Sequence, residues 1–216
     1  IIRQKVKRKQ LSQTNAEIFD HARIAVGSLR DTTGNFITYF PRVKASSITL
    51  LLNYMGTAGY YNPFTSEAQI NGRMPQFLRP LTACHEMAHQ MGYNREDEAN
   101  FVGFLAGIGS EEPLLRYSAY YMGMQEFMFE VMLRDSVQYK SLREKISPQV
   151  LSDLKADRDY WLRYRGNAGV LSSILYDQYL RVNNQPEGLL TYNRMIKLTM
   201  SWYRRKWSEA SLLQEE

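Results

Sequence analysis

Two histidines at helical spacing constrain this sequence more than any other feature. His85 and His89 are four residues apart, so on an α-helix their imidazoles project from one face, near enough to hold a single cation. Glu86 follows the first histidine and lies at the edge of that face, where it can reach a metal-activated water without ligating the metal. Most other positions from 81 to 91 are apolar, which predicts a buried metal-binding helix.

The segment after this helix is expected to fold back onto the histidines. Gly92 can end the first helix in a left-handed conformation, and Asn94 can cap a second one. A second helical pattern then begins near Arg95. Catalytic zinc usually takes three protein ligands and leaves a fourth position open, so the third ligand is sought on this second helix.

Two glutamates compete for the third position. Glu96 shares a helix face with Asn100 and Gly103, at i, i+4 and i+7. Glu98 lies on another face, and a simple antiparallel hairpin would place it level with His89. Helical spacing alone leaves both glutamates open.

The combined motif resembles that of the gluzincins, the thermolysin-like zinc metallopeptidases. The resemblance implies that His85, His89 and Glu96 bind Zn²⁺, and that Asn100 orients a ligand histidine, His85. It leaves Glu98 as the alternative ligand or a neighbour of the site. The sequence departs from the usual pattern in two ways, since only six residues separate His89 from Glu96 and an asparagine replaces the commoner aspartate.

Most of the chain resembles an uncharacterised bacterial group of membrane-anchored, zincin-like proteins, known only as a domain of unknown function. The motifs that carry this resemblance are Gly59-Tyr60-Tyr61-Asn62-Pro63-Phe64-Thr65-Ser66-Glu67, His85-Glu86-Met87-Ala88-His89-Gln90-Met91-Gly92-Tyr93, Arg95-Glu96-Asp97-Glu98-Ala99-Asn100-Phe101 and Tyr117-Ser118-Ala119-Tyr120. It implies membrane helices upstream of residue 1 and a domain beside a bacterial membrane. It implies no substrate.

The net charge of +5 is concentrated at the start of the chain. The first nine residues hold five basic side chains and no acid, whereas the remainder has 22 of each sign. We expect residues 1–10 to be a basic juxtamembrane or flexible segment, and an ordinary solvated helix start is the alternative. Because the rest is neutral, no nucleic-acid partner is expected. The single cysteine, Cys84, excludes an internal disulfide framework, and no apolar run is long enough to cross a bilayer.

The coarse pattern predicts a mostly helical α+β protein with one zincin-like domain over residues 11–216. An amphipathic helix is expected over 11–29 and a small sheet within 36–78, where 47–52 suits either a strand or a short buried helix. Pro75 and Pro80 are expected to interrupt regular structure before the metal-site helices, over about 81–108. A helical subdomain over 114–207 should then contain helices at 116–146, 147–165, 168–182 and 188–207.

These patterns favour a zinc metallopeptidase in which Glu86 acts as general base on a peptide or protein substrate. Oxyanion stabilisation is expected from Tyr120 or Tyr192, with Tyr117 and Arg116 as further candidates. The free edge of a strand before the metal helix would pair with an extended peptide. The alternative is a non-catalytic, membrane-tethered binding or signalling module. Its structural metal would need a fourth ligand, taken from Cys84, Asp97 or Glu98.

Overall fold

The computed structural model describes residues 2–7, 9–33, 41–166 and 192–212. This part of the chain is mostly helical with one small sheet, so the α+β prediction is confirmed. The helices are α1 (Ile2–Lys5), α2 (Asn15–Thr33), α3 (Thr49–Met55), α4 (Arg79–Gln90), α5 (Glu96–Gly109), α6 (Pro113–Arg134), α7 (Ser136–Glu144), α8 (Pro148–Leu162) and α9 (Tyr192–Leu212), with a 3₁₀ turn at Gln10–Ser12. The strands are β1 (Val43–Ala45), β2 (Gly59–Asn62) and β3 (Glu67–Ile70).

The sheet has the order β1-β3-β2, with β1 parallel and β2 antiparallel to the central strand. The hairpin β2–β3 turns through the predicted Asn62-Pro63 segment, where Ser66 takes a positive φ of 51°. The ambiguous segment at 47–52 contributes to helix α3 rather than to a strand. Its left-handed cap, Gly56 at φ 70°, leads directly into β2.

Helix α4 lies at the centre of the fold. It packs against α2, α5, α6 and all three strands. Its side chains Ala83, Cys84, Met87 and Ala88 are fully buried in the main core. A second cluster joins the N-terminal segment to α2 and α6 through Val6, Ile18, Leu114, Tyr117 and Tyr121, with Phe77. The helix that carries the histidine motif is therefore held from several sides.

Several helix boundaries differ from the sequence-based expectation, and the helix expected over 11–29 is observed as α2, Asn15–Thr33. Helix α4 begins at Arg79, because Pro80 fits in a first turn whose N–H groups need no helical acceptor. Helix α5 is preceded by Arg95 in extended conformation, so the expected Asn94 cap is wrong. The single helix expected over 116–146 is interrupted at Asp135, whose carboxylate accepts from the N–H groups of Val137 and Gln138 and caps α7.

The basic N-terminal segment is partly built into the fold. The Arg3 guanidinium pairs with the carboxylate of Asp153 in α8 and lies 5.3 Å from the centre of the Tyr117 ring. Val6 is buried in the second cluster, whereas Lys5, Lys7 and Lys9 are exposed. The described part of residues 1–10 is therefore anchored to α6 and α8 and presents its lysines to solvent.

Parts of the expected architecture lie outside the described residues. These are the first residues of the sheet region, at 36–40, and the helix expected over 168–182 with the turn after it. Within the described ranges, the expected helix over 188–207 is observed as Tyr192–Leu212. None of the described helices is long and apolar enough to cross a bilayer.

Glu126 and Glu130 lie one turn apart on α6. Glu130 is buried, and Glu126 is partly buried. Glu130 accepts from Arg134 through Oε2 at 2.8 Å, while its Oε1 has no partner among the described residues. Burial, with the charge of Glu130, raises the pKa of Glu126 from 4.5 to about 7. A carboxyl group that ionises more easily in the unfolded chain destabilises the fold as the pH rises through its folded pKa.

Glu126→Gln should therefore stabilise the protein mainly at high pH. The free energy of unfolding should rise by about 1 to 3 kcal/mol at pH 8, above the folded pKa, and by clearly less at pH 5, where the folded carboxyl is protonated. Urea unfolding at the two pH values measures this difference. The exposed Glu144→Gln variant is the control, and an equal gain at both pH values would contradict the assignment.

Candidate metal centre

The centre is built by two consecutive helices that turn tightly onto each other. Helix α4 ends at Gln90, and Gly92 at φ 99° reverses the chain while the Tyr93 N–H donates to the Ala88 carbonyl. Gly103 of α5 faces the backbone of His85, where an added Cβ would lie 3.3 Å from the amide nitrogen. Glycine thus allows the two helices to approach closely at the level of the first histidine.

Three side chains converge in this hairpin. The Nε2 atoms of His85 and His89 are 3.1 Å apart. The two carboxylate oxygens of Glu96 each lie 3.4 Å from one of these nitrogens, Oε2 from His85 and Oε1 from His89. The candidate ligand atoms of the three residues all lie within 4.8 Å of one another.

The distance between the two nitrogens, and that from each nitrogen to its nearer Glu96 oxygen, are close to the ligand separations around a tetrahedral cation. Ligand atoms about 2.0 to 2.1 Å from a tetrahedral zinc ion are about 3.4 Å from one another. Two imidazoles and one carboxylate are also a donor set that suits Zn²⁺. Among the described residues the cluster contains three such groups, which leaves one tetrahedral position for water or substrate.

Glu96 is therefore the better placed of the two glutamates to act as a third ligand. Its side chain is one-tenth exposed and faces both histidines. The side chain of Glu98 is 44% exposed and lies 3.8 Å from the Arg95 guanidinium, outside the group of converging ligand atoms. Glu98 is thus a surface residue at the start of α5.

The charge of Glu96 influences the protonation of His85, and the charges of the two histidines influence that of Glu96. Burial lowers the pKa of His85, but the hydrogen bond and charge of Glu96 outweigh it, and the pKa rises to about 9. Burial also opposes ionisation of Glu96, yet the hydrogen bonds and charges of the two histidines hold its pKa well below the usual range. Protons would therefore compete with a metal for the same nitrogens, which favours metal binding at neutral over acidic pH.

Each histidine has a different environment behind its ring. His89 Nδ1 lies 2.8 Å from the carbonyl oxygen of Tyr93, and an N–H donated there leaves Nε2 free for a metal. After burial and the Glu96 and Glu86 carboxylates, the Asn100 side chain is a smaller influence on the pKa of His85, so Asn100 lies near that imidazole. The buried Nδ1 of His85 and Nδ2 of Asn100 make no hydrogen bond with the described residues. The Tyr93 contact was missed because a backbone carbonyl leaves no signal in the sequence.

Glu86 is buried between the cluster and the outer strand β2. It is 5% exposed, and burial raises its pKa while the charges of His85 and His89 oppose that rise. A Cβ added at Gly59 of β2 would lie 2.6 Å from Glu86 Oε1 and 2.9 Å from the Gln69 carbonyl oxygen. Only glycine fits here, so Gly59 sets the close approach of the strand to the carboxylate.

The four candidate oxyanion donors lie in different surroundings. Tyr117 donates to Asp153 at 2.6 Å and belongs to the second hydrophobic cluster, so that role is wrong for it. Tyr120 packs edge-on against Phe104 in the interface of α5, α6 and α9. There burial, together with Tyr120, raises the pKa of Tyr203 in α9. The Arg116 Nε is buried without a partner among the described residues. Tyr192 begins α9, and its side chain lies outside the described set.

The third-ligand assignment predicts a clear difference between two neighbouring glutamates. Wild-type protein supplied with zinc should hold about one ion per chain, Glu96→Ala should lose it, and Glu98→Ala should keep it. Elemental analysis after extensive dialysis measures the bound zinc. Retention of stoichiometric zinc by Glu96→Ala would show that this carboxylate is not a ligand.

Comparisons with known proteins give one result. A family model described as a protein of unknown function (DUF3810) matches residues 1–200. No match was found among curated proteins or among solved structures. The match covers both helices of the metal centre and the strand that borders it.

Proposed function

The chain belongs to the DUF3810 family, and we propose that this member is a zinc-dependent metallopeptidase of the zincin type. One observation carries the proposal. A three-ligand cluster of His85, His89 and Glu96 lies beside a buried carboxylate that is not a ligand, Glu86. This is the arrangement that hydrolysis by an activated water requires.

The donor set fits a catalytic ion better than a structural one. When bound, Zn²⁺ supplies Lewis-acid chemistry, which polarises a carbonyl and acidifies water. A closed structural site would need a fourth protein ligand. The Sγ of Cys84 points to the Ala22 carbonyl in α2, 3.9 Å away, and Asp97 is held by Arg95 at 3.1 Å. Together with the exposed Glu98, these positions disfavour the non-catalytic module.

Glu86 is the proposed general base. Burial raises the pKa of Glu86, and the charges of His85 and His89 only partly oppose that rise. A buried carboxylate with a raised pKa can take a proton from the attacking water at Oε1 or Oε2 and return it to the leaving amine. His85, His89 and Glu96 hold their positions meanwhile because α4 and α5 are packed in the core.

Strand β2 supports a peptide substrate. It is an outer strand of the sheet, so its outward N–H and C=O groups recur at the spacing of an extended peptide. Its first residue, Gly59, borders Glu86. A peptide added to this edge would run past the general base, which brings a scissile bond to the metal centre.

Association with a membrane is also part of the proposal. The exposed Lys5, Lys7 and Lys9 support it, because lysines beside an anionic lipid surface are attracted to it. The pair of Arg3 with Asp153 holds this segment against α8. No nucleic-acid partner is proposed.

Replacing the general base should separate binding from catalysis. Glu86→Gln should keep about one zinc ion per chain but lose hydrolysis by on the order of 10²- to 10⁴-fold. Cleavage of a mixed peptide library, followed by mass spectrometry, measures activity beside the zinc content. Full activity in this variant would refute the mechanism.

The strand contact gives a second prediction on the same assay. Gly59→Ala places a methyl group 2.6 Å from the Glu86 carboxylate, so it should keep zinc but lower the rate by on the order of 10²-fold, as misplaced catalytic groups do. Gly27→Ala in α2 is the matched control, because a Cβ there meets nothing within 4 Å. An unchanged rate in Gly59→Ala would mean either that Glu86 takes no part in the reaction or that β2 does not lie beside it.

A further inference from the structure

A cleft separate from the metal centre lies between the ends of two helices. The C-terminal end of α3 forms one side, and the last turn of α8 with the residues after it forms the other. Its volume is about 360 Å³, within the range of small-molecule sites. Tyr54, Trp161 and Tyr164 line it, so its walls are largely aromatic.

A buried asparagine with an unpaired amide nitrogen lies in the wall of the cleft. Asn53 lines it and is 1% exposed. Its Oδ1 accepts from the Asn71 amide and, at 2.6 Å, from the Tyr160 hydroxyl. Its Nδ2 has no partner among the described residues.

The orientation of this amide is fixed by its neighbours. The Arg73 N–H donates to Asn71 Oδ1 at 3.1 Å, which turns the Asn71 amide nitrogen toward Asn53. Asn53 must then present its oxygen to Asn71, because two amide nitrogens facing each other could not bond. A buried donor without an acceptor is unfavourable, so a ligand acceptor that reaches Asn53 Nδ2 would recover free energy.

Two guanidinium groups add positive charge to the cleft. Arg158 and Arg165 both line it. Arg158 is mostly exposed, and its nearest carboxylate, that of Asp159, is 3.6 Å away and already bonded to Lys155 at 2.7 Å. Planar guanidinium groups suit carboxylate and phosphate, and they also stack on rings.

We propose that this cleft binds a small anionic ligand with a flat ring. The ring packs against Tyr54 and Trp161, the anionic group pairs with Arg158 and Arg165, and a ring or carbonyl acceptor reaches Asn53 Nδ2. The edge-to-face contact of Tyr54 with Tyr164, 5.5 Å between ring centres, keeps that wall in place. A nucleoside monophosphate and an aromatic carboxylate share this chemistry.

Calorimetric titration with two matched pairs of probes tests the site and shows which kind of anion, a nucleoside monophosphate or an aromatic carboxylate, it prefers. The pairs are adenosine 5′-monophosphate with adenosine, and 4-hydroxybenzoate with phenol, because each pair differs in its anionic group. At least one anion should bind, and at least tenfold more tightly than its neutral partner. If neither anion binds at millimolar concentration, or if charged and neutral members bind equally, the proposal is wrong.

Variants at the rim connect the binding to this cleft. The double variant Arg158→Ala with Arg165→Ala should weaken the anion at least tenfold, and Tyr54→Ala should weaken both members of the pair. Arg143→Ala on α7, which does not line the cleft, should change nothing. Unaltered affinity in the double variant would overturn the assignment.

The site is independent of the metal centre. Glu96→Ala, which should lose the zinc, should bind the anion as the wild type does. Binding that persists without hydrolysis would leave the cleft assigned and the peptidase proposal open to its own test. Binding lost in this variant would mean that the anion sits at the metal centre, which overturns the inference.

Discussion

The close packing of α5 on α4 is the constraint on which the rest of the site depends. Gly103 lets the second helix approach the backbone of His85, and the left-handed Gly92 sets the turn between them. Elsewhere on α4, Gly59 lets β2 approach Glu86. The metal helix is thus held between a helix and a strand, each brought near by a residue without a side chain.

This packing places charge in the interior, and charge there must be balanced. A carboxylate removed from water is costly unless partners compensate it. Glu96 has two imidazoles as partners, and the same imidazoles partly offset the burial of Glu86. The site is therefore an interdependent set, in which the removal of one group changes the protonation of the others.

Part of this arrangement follows from local spacing and could be predicted. The pairing of His85 with His89 needs only the helical repeat, and the hairpin β2–β3 needs only its turn residues. The choice between Glu96 and Glu98 depends instead on where α5 begins, since each residue rotates a helix by about 100°. Helix α5 begins directly after Arg95, which is in extended conformation and makes no side-chain cap. The sequence therefore does not mark where this helix begins.

Other differences have equally specific causes. A capping aspartate, Asp135, interrupts a segment whose apolar content reads as continuous helix. The role of Gly59 depends on a contact across 27 positions of sequence, from β2 to Glu86, and such contacts have no local signature. Arg3 pairs with Asp153 over a still longer separation, so a basic segment that reads as a free arm is partly folded.

All three proposed ligands lie within residues 85–96, in one helical hairpin. A site with so little intervening chain has a low entropic cost of closure, and hairpins of this kind form early, because contacts between near neighbours form faster than distant ones. We therefore expect that the ion can be captured during synthesis, before α6 to α9 have left the ribosome. The bound ion would then hold α4 and α5 together while the later helices pack around them.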